Sequence, residues 1–127
     1  MDLESLRLAE AFFSKWPESL PIVRAFLPEA LARWPEAEIV TQKSQVGLRA
    51  PRPFCALTPP VRRAKGWPKH AVALSLFLSR PLAPARMILS VEPYPGRWTN
   101  HIPLCDPAEL DEELWAWVDE ARKARNP

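Results

Sequence analysis

The stretch AVALSLFL, residues 71–78, is the longest apolar run in the chain. It is too short for a bilayer, which needs about 20 residues. Successive side chains of a strand point to opposite faces, so one face carries Val72, Leu74, Leu76 and Leu78. The other face carries the smaller residues Ala71, Ala73 and Ser75 together with Phe77. A strand that is apolar on both faces is typical of the centre of a sheet, and we predict that its small face lines a cleft.

Other stretches around this strand also have the pattern of β-structure. Residues 38–50, EIVTQKSQVGLRA, alternate and are rich in β-branched side chains, which favours a strand or hairpin. Further strands are predicted at PFCALT (53–58), RMILSV (86–91) and NHIPL (100–104). Pro103 cannot donate to a ladder, which favours an outer position for the last of these strands. We therefore predict an antiparallel sheet of four to five strands.

The N-terminal third has helical periodicity instead. Over residues 2–16, Asp2 supplies a cap and apolar residues recur at intervals of three and four as far as Trp16. Ser19 offers a second cap. Proline lacks an amide hydrogen, so Pro28 is predicted to end that helix and begin a new short one.

Residues 106–125, DPAELDEELWAWVDEARKAR, predict an amphipathic C-terminal helix. Asp106 and Glu109 have capping-box spacing around Pro107, and acids precede cations as the helix dipole favours. The predicted buried stripe is Leu110, Leu114, Trp117, Val118 and Ala121. We predict one α+β domain over residues 1–127, in which N-terminal helices and this C-terminal helix pack on the sheet.

Composition indicates a globular protein, because 47% of the residues are hydrophobic and 25% are charged. The N-terminus has no basic start followed by an unbroken apolar stretch, so it does not have the pattern of a secretory signal. Cys55 and Cys105 are too few for the disulfide framework of a small secreted domain. We expect a cytoplasmic protein that does not enter a membrane.

Charge is distributed unevenly along the chain. Residues 41–105 contain ten Lys or Arg and one acid, a net charge of +9, whereas the flanking segments carry −3 and −4. A basic sheet and loop surface would attract an anionic partner, either nucleic acid or a phosphorylated ligand. Trp67 and Trp98 fall in predicted loops and are expected to be exposed for stacking. The candidate ligand-binding residues are Arg49, Arg52, Arg62, Arg63, Lys65, Trp67, Arg86, Arg97, Trp98 and His101.

The alternative for these cations is that acidic helices pack near them and neutralise them as surface ion pairs. Two further functional readings stay open. In the first, His101 is an acid or base in a cleft beside the small face of residues 71–78, and Arg86 or Arg97 holds substrate. In the second, the protein is a homodimeric accessory module, because Trp115 lies at the edge of the apolar stripe and is expected to be exposed.

The sequence has few other motifs for metal binding, phosphate binding or catalysis. Cys55, His70, His101 and Cys105 lack the short spacing of structural zinc sites, so no metal site is predicted. The three glycines are isolated and form no phosphate-binding loop. We accordingly predict no cofactor and assign no catalytic residue beyond the candidate His101.

Three segments together resemble a bacterial family described as a domain of unknown function. They are VTQKSQVGLRAPRPFCAL (40–57), LSRPLAPARMILSVEP (78–93) and GRWTNHIPLCDPAELDEELWAWVDEA (96–121). The resemblance covers about residues 38–125. It implies a small α+β sheet domain that occurs alone or attached to larger chains, and it implies no reaction and no catalytic residue.

Overall fold

The structure is a computed structural model that describes residues 2–61, 64–82 and 85–127. Its helices are α1 (Leu3–Phe13), α2 (Leu20–Arg33) and α3 (Glu112–Arg125). Its strands are β1 (Glu38–Thr41), β2 (Val46–Arg49), β3 (Pro53–Thr58), β4 (Val72–Leu78), β5 (Leu89–Tyr94) and β6 (Arg97–Leu104). Short 3-10 turns lie at Pro17–Ser19, Ala85–Met87 and Pro107–Glu109.

The strands form one antiparallel sheet in the order β1-β2-β3-β4-β6-β5. The α+β class and the interior position of β4 are as predicted. The predicted strand number was too low, because the described residues contain six strands rather than four to five. Residues 38–50 account for two of them, since β1 and β2 are a hairpin in which Ile39 pairs with Leu48.

The prediction that residues 100–104 form an outer strand was wrong. β6 lies between β4 and β5, and Pro103 pairs with Ala73. The β5 ladder begins with Leu89 opposite His101, so Pro103 lies beyond that ladder and disrupts no pairing on that side. On this side of the sheet the edge strand is β5, which pairs only with β6 in the described residues and exposes Leu89, Val91 and Tyr94.

All three helices contribute buried residues to one face of the sheet. Leu74 and Leu76 of β4 are fully buried in the same cluster as Phe13 of α1, Phe26 of α2 and Val118 of α3. No described helix shares a buried cluster with the opposite face. There, the segment 64–71 packs over one end of β4 in a separate small cluster of Trp67, Ala71 and Ala73. The sheet therefore has a helix-covered face and a face that is open over the rest of its area.

The predicted break at Pro28 does not occur, because α2 continues from Leu20 to Arg33 with Pro28 inside it. Residues on both sides of Pro28, including Phe26 and Leu31, are buried in the core. Their packing outweighs the loss of one backbone hydrogen bond. Ser19 makes no side-chain cap, and its buried Oγ has no partner among the described residues.

The C-terminal helix begins later than predicted. The capping box of Asp106 and Glu109 forms on a 3-10 turn, and the side chain of Asp111 caps α3 by accepting a hydrogen bond from Leu114 N at 2.9 Å. Trp115 is only 4% exposed and stacks on Phe26 with ring centroids 5.0 Å apart. The prediction that Trp115 is exposed was therefore wrong.

Trp117, which was predicted to be buried in the apolar stripe, is only half-buried. Its ring lies beneath the guanidinium of Arg86, with 5.6 Å from Cζ to the ring centroid.

Among the described residues, no helix has both the length and the apolar character that crossing a bilayer requires.

Candidate functional site

A small pocket lies where the end of α3 meets one end of the sheet, and we call it the arginine pocket. It is lined by Arg52, Leu78, Ser79, Gly96, Arg97, Ala124 and Arg125, and has a volume of about 100 Å³. Arg52 precedes β3, Arg97 begins β6 and Arg125 ends α3. Arg97 follows a tight turn in which Gly96 has φ of 77°, a conformation that favours glycine. Distant parts of the chain thus bring three arginines together.

The three arginines have no acidic partner in the described part of the chain. No salt bridge joins Arg52, Arg97 or Arg125 to a carboxylate there. The Nε of Arg125 is buried without a hydrogen-bond partner among the same residues. Burial, and then the charges of Arg97 and Arg52, lower the pKa of Arg125 below its ordinary value. The pocket is therefore a site of concentrated positive charge.

Asn126 holds one wall of the arginine pocket in place. Its Oδ1 accepts a hydrogen bond from Arg52 N at 2.9 Å, and its Nδ2 donates to Arg52 O at 3.3 Å. The same Nδ2 also contacts Arg122 O at 3.2 Å, which ties the end of α3 to the segment before β3. The backbone of Arg52 is fixed relative to Arg125 before any ligand binds.

The other predicted cations do not join this pocket. Arg49 pairs with Glu38 at 3.6 Å, and Arg86 pairs with Asp111 at 3.1 Å on the helix side of the molecule. Lys65 is exposed in the segment 64–71. Arg62 and Arg63 lie outside the described residues. Of the predicted binding cations, the structure thus brings together Arg52 and Arg97.

Sequence reasoning missed Arg125. Its place in the last turn of α3 was attributed to the helix dipole, although the same position is where the helix end meets the sheet. Its chemistry was visible in the sequence, but its neighbours were not.

A larger concavity, which we call the sheet cleft, lies on the open face of the sheet. Its volume is about 290 Å³. The small face of β4 supplies part of its floor, as predicted, and His101 lines it. Its lining includes Thr58, Trp67, Ser75, Phe77, Thr99 and His101.

His101 is held by a serine directly opposite it in the sheet. Ser75 of β4 pairs with His101 of β6, and its Oγ lies 2.7 Å from Nδ1 of the imidazole. Burial lowers the pKa of His101. The ring is therefore predominantly neutral at pH 7. Arg86 and Arg97 do not line this cleft, so the predicted grouping of His101 with either arginine is not formed.

Neither tryptophan predicted to be exposed in a loop has that environment. Trp67 is 7% exposed, and its Nε1 donates a hydrogen bond to Met87 O at 2.9 Å. It forms a wall of the sheet cleft rather than a free stacking surface. Trp98 is on β6 opposite Leu78 and is half-buried. β6 begins at Arg97, whereas the predicted strand began at residue 100, so Trp98 lies in the strand rather than in a loop.

The described residues contain no group of three or more His, Cys, Asp or Glu placed to hold a metal ion. Cys55 is buried and Cys105 is exposed. Burial raises the pKa of the Cys55 thiol, and burial together with Glu109 raises that of Cys105. Both thiols are therefore protonated at neutral pH and are poor nucleophiles.

Comparison with protein families gives a match to the model described as Domain of unknown function (DUF5655), over residues 9–123. The comparisons with curated proteins and with solved structures give no match. The family match begins at residue 9, within α1, and includes the whole of α2, so it extends the resemblance seen over residues 38–125 toward the N-terminus. It spans most of the 127-residue chain. The chain therefore belongs to the family described as Domain of unknown function (DUF5655).

Proposed function

We propose that this protein is a small, non-enzymatic binding domain that holds a phosphate group of its ligand in the arginine pocket. One observation carries the proposal: Arg52, Arg97 and Arg125 line a single pocket and have no acidic partner among the described residues. Guanidinium groups present planar pairs of donors that match the oxygens of phosphate.

Other arginines in the molecule have acidic partners, and this contrast supports the binding of an external anion in the arginine pocket. Arg80 makes a two-pronged salt bridge with Glu120, with both contacts at 2.8 Å, and Arg33 pairs with Glu29 at 2.8 Å. Crowding like charges without a counterion costs free energy, and this cost is larger where the groups are partly buried. A bound anion would remove that cost at the arginine pocket.

The size of the pocket favours one anionic group over a polymer. About 100 Å³ corresponds to the volume of roughly three water molecules. Nucleic acid needs a row of cations along its backbone. Among the described residues, Arg49 and Arg86 are paired with acids and do not extend the pocket into such a row. A ligand that presents a single terminal phosphate therefore fits best.

The first prediction concerns Arg97→Gln. In wild-type protein at low salt, we expect inorganic phosphate to shift the Arg125 Nε–H signal saturably in ¹H–¹⁵N NMR spectra. Arg97→Gln should weaken the affinity about tenfold or more, because a charge-assisted contact is lost. Without phosphate, the variant should melt at a higher temperature than wild type, since like-charge repulsion is relieved. Phosphate should raise its melting temperature less than that of wild type.

Arg7→Gln is the matched control, because Arg7 is exposed on α1 and does not line the arginine pocket. It makes the same change in net charge and should leave phosphate binding unaltered. Equal weakening by both variants would mean that only the overall field attracts phosphate, and would overturn the proposal. An absence of any saturable shift would do the same.

A short single-stranded oligonucleotide tests the nucleic-acid alternative. A protein that neutralises several phosphates loses affinity steeply as salt rises, with a slope of about −0.7 per phosphate contact on a double-logarithmic plot. We expect the phosphate pocket to give a shallow slope corresponding to one group. Tight oligonucleotide binding with a slope several times steeper would replace the single-phosphate proposal with nucleic-acid binding.

Two other hypotheses about the function have weaker support. The homodimer reading relied on Trp115, which is buried against Phe26, so it is not proposed again on that basis. The enzyme hypothesis relied on His101 together with an arginine, and no arginine is among the described residues that line the sheet cleft.

As part of the proposal we retain a cytoplasmic setting for this single domain, because Cys55 and Cys105 are both free.

A further inference from the structure

We propose that the sheet cleft is a second ligand site, which takes a small, uncharged aromatic molecule whose hydrogen-bond acceptor meets Nε2 of His101. This inference is independent of the arginine pocket, because the two sites share no lining residue. It rests on the dimensions of the cleft, the chemistry of its walls and the contact between Ser75 and His101.

The cleft has the dimensions of a small-molecule site. Its volume of about 290 Å³ is close to the lower limit of ligand pockets, which is roughly 300 Å³. Its floor is made by neighbouring strands of a continuous sheet, and Trp67 from the segment 64–71 forms one wall. A rigid floor of this kind is pre-organised for a ligand and loses little freedom when a ligand binds.

The described walls of the cleft are uncharged. No Lys, Arg, Asp or Glu is among its described lining residues, and the polar groups present are neutral side chains such as Thr58, Thr99 and Gln45. A charged ligand would lose its hydration there without gaining an ionic partner, which costs more than the burial of an uncharged one. The lining therefore selects an uncharged molecule.

Aromatic walls favour a flat ligand. Trp67 is fixed in orientation by the hydrogen bond from its Nε1 to Met87 O, and Phe77 is half-buried in the floor. Aromatic rings pack well against one another in offset or edge-on arrangements. A ligand ring between Trp67 and Phe77 would cover apolar surface that water now contacts.

Ser75 determines which nitrogen of the neutral His101 ring carries the proton. The hydroxyl of this 6%-exposed serine needs an acceptor, and Nδ1 of His101 is the one that the described residues provide. We therefore assign the hydroxyl as the donor, which leaves Nδ1 without a proton and places the proton on Nε2 of the neutral ring. Nε2–H has no hydrogen-bond acceptor in the described part of the protein, so a carbonyl oxygen or ring nitrogen of the ligand can supply one.

Three probes with the same ring test the proposal: benzamide, benzoate and benzylamine. In ¹H–¹⁵N NMR titrations of the wild-type protein, we expect benzamide to shift the amide signals of Ser75, Thr99 and His101 saturably. Benzoate and benzylamine carry opposite charges and should each bind at least several-fold more weakly, because the described lining of the cleft offers no counter-charge. The absence of a saturable benzamide shift, or equal binding of a charged probe, would overturn the proposal.

Variants of the two histidines separate a direct contact from a general effect. His101→Leu removes the donor and should weaken benzamide binding about threefold to tenfold, the effect of one neutral hydrogen bond. His70→Leu changes an exposed histidine outside the cleft and should have no effect. Equal affinities of wild type and His101→Leu would show that His101 does not contact the ligand and would overturn the proposed recognition.

The tautomer has a test that needs no ligand. Ring ¹⁵N shifts of wild-type His101 should show a protonated Nε2 and an unprotonated Nδ1. Ser75→Ala removes the hydroxyl with little change in volume and should increase the population of the other tautomer. A wild-type ring protonated on Nδ1 would contradict the assignment, whatever the probes do.

Discussion

His101 is an isolated titratable group. It is half-buried, and burial alone accounts for the lowering of its pKa, with no contribution from a charged neighbour. The second histidine, His70, is exposed. The pH dependence of unfolding therefore measures the effect of His101 on stability.

The protein should lose stability on acidification below the ordinary histidine pKa of 6.5. A lowered pKa in the folded state means that the unfolded chain takes up the proton first. Stability is therefore full above pH 6.5 and declines as the pH falls toward the folded-state pKa of His101, by at most about 1.4 kcal/mol per pH unit. Urea unfolding between pH 5 and 8 measures this dependence.

His101→Gln should flatten the pH dependence in this window, whereas His70→Gln should leave it unchanged. Asp111, Asp119 and Glu120 have lowered pKa values, so these acids titrate at lower pH and do not obscure the effect. A slope that survives in His101→Gln would assign the effect to another group.

At the level of single residues, the sequence predicted which side chains are candidates for a site, but not which side chains contact one another. Alternation along residues 71–78 correctly gave Ser75 to the small face, and His101 was selected as a candidate. Their contact depends on the pairing of β4 with β6, a register between segments far apart in sequence that local patterns do not determine. The clustering of Arg125 with Arg52 and Arg97 was hidden for the same reason.

Helix α3 depends on a cap that lies five residues after the capping-box aspartate. Asp111→Ala should cost about 1 kcal/mol of unfolding free energy, because it removes the acceptor of the Leu114 amide. It also removes the salt bridge with Arg86. Asp106→Ala should cost less, since Asp106 caps only a short 3-10 turn. Denaturant unfolding of both variants compares the two costs, and a larger loss for Asp106→Ala would contradict this order.

Secondary structure was predictable where one signal dominated and was mispredicted where two signals competed. The continuous apolar run identified β4, which starts only one residue later than the predicted run. The capping box of Asp106 forms, but Asp111 offers a second cap nearby, and α3 begins only after Asp111. Likewise, the helix-breaking effect of Pro28 was overridden by the buried residues around it.

The helices and the sheet are joined by a cluster of aromatic rings. Trp115 of α3 stacks on Phe26 of α2 and lies 6.0 Å from Trp34, which meets Phe54 of β3 edge-on at 6.1 Å. Arg33 lies over the Trp115 ring at 4.7 Å. Trp115 therefore contacts parts of the molecule that are distant in the sequence.

Trp115→Ala should destabilise the protein by about 3–5 kcal/mol, the usual cost of removing a large buried aromatic side chain. Trp98→Ala, at a half-buried position, should cost less. If the chain is one cooperative unit, far-ultraviolet and near-ultraviolet circular dichroism should report the same unfolding midpoint in each protein. Separate far-ultraviolet and near-ultraviolet midpoints would contradict a single cooperative domain.

The charge pattern of the whole chain allowed two outcomes, and both occur in different places. Arg86 and Arg80 of the basic segment pair with Asp111 and Glu120 near or on α3, as the neutralising alternative expected. Arg52 and Arg97 instead meet another arginine. Sequence shows how much charge each segment carries, but the allocation of partners depends on how the helix lies across the sheet.

The free edge of β5 affects how these molecules behave when they are crowded. Exposed backbone groups along an edge strand can recruit a strand from a neighbouring molecule and start a growing fibre. Here Pro93 has no amide hydrogen to offer, Glu92 adds a charge, and the pairing with β6 is irregular between Val91 and Tyr94. An approaching strand would meet a discontinuous template, so the open end of this sheet is poorly suited to fibre growth even though apolar side chains line it.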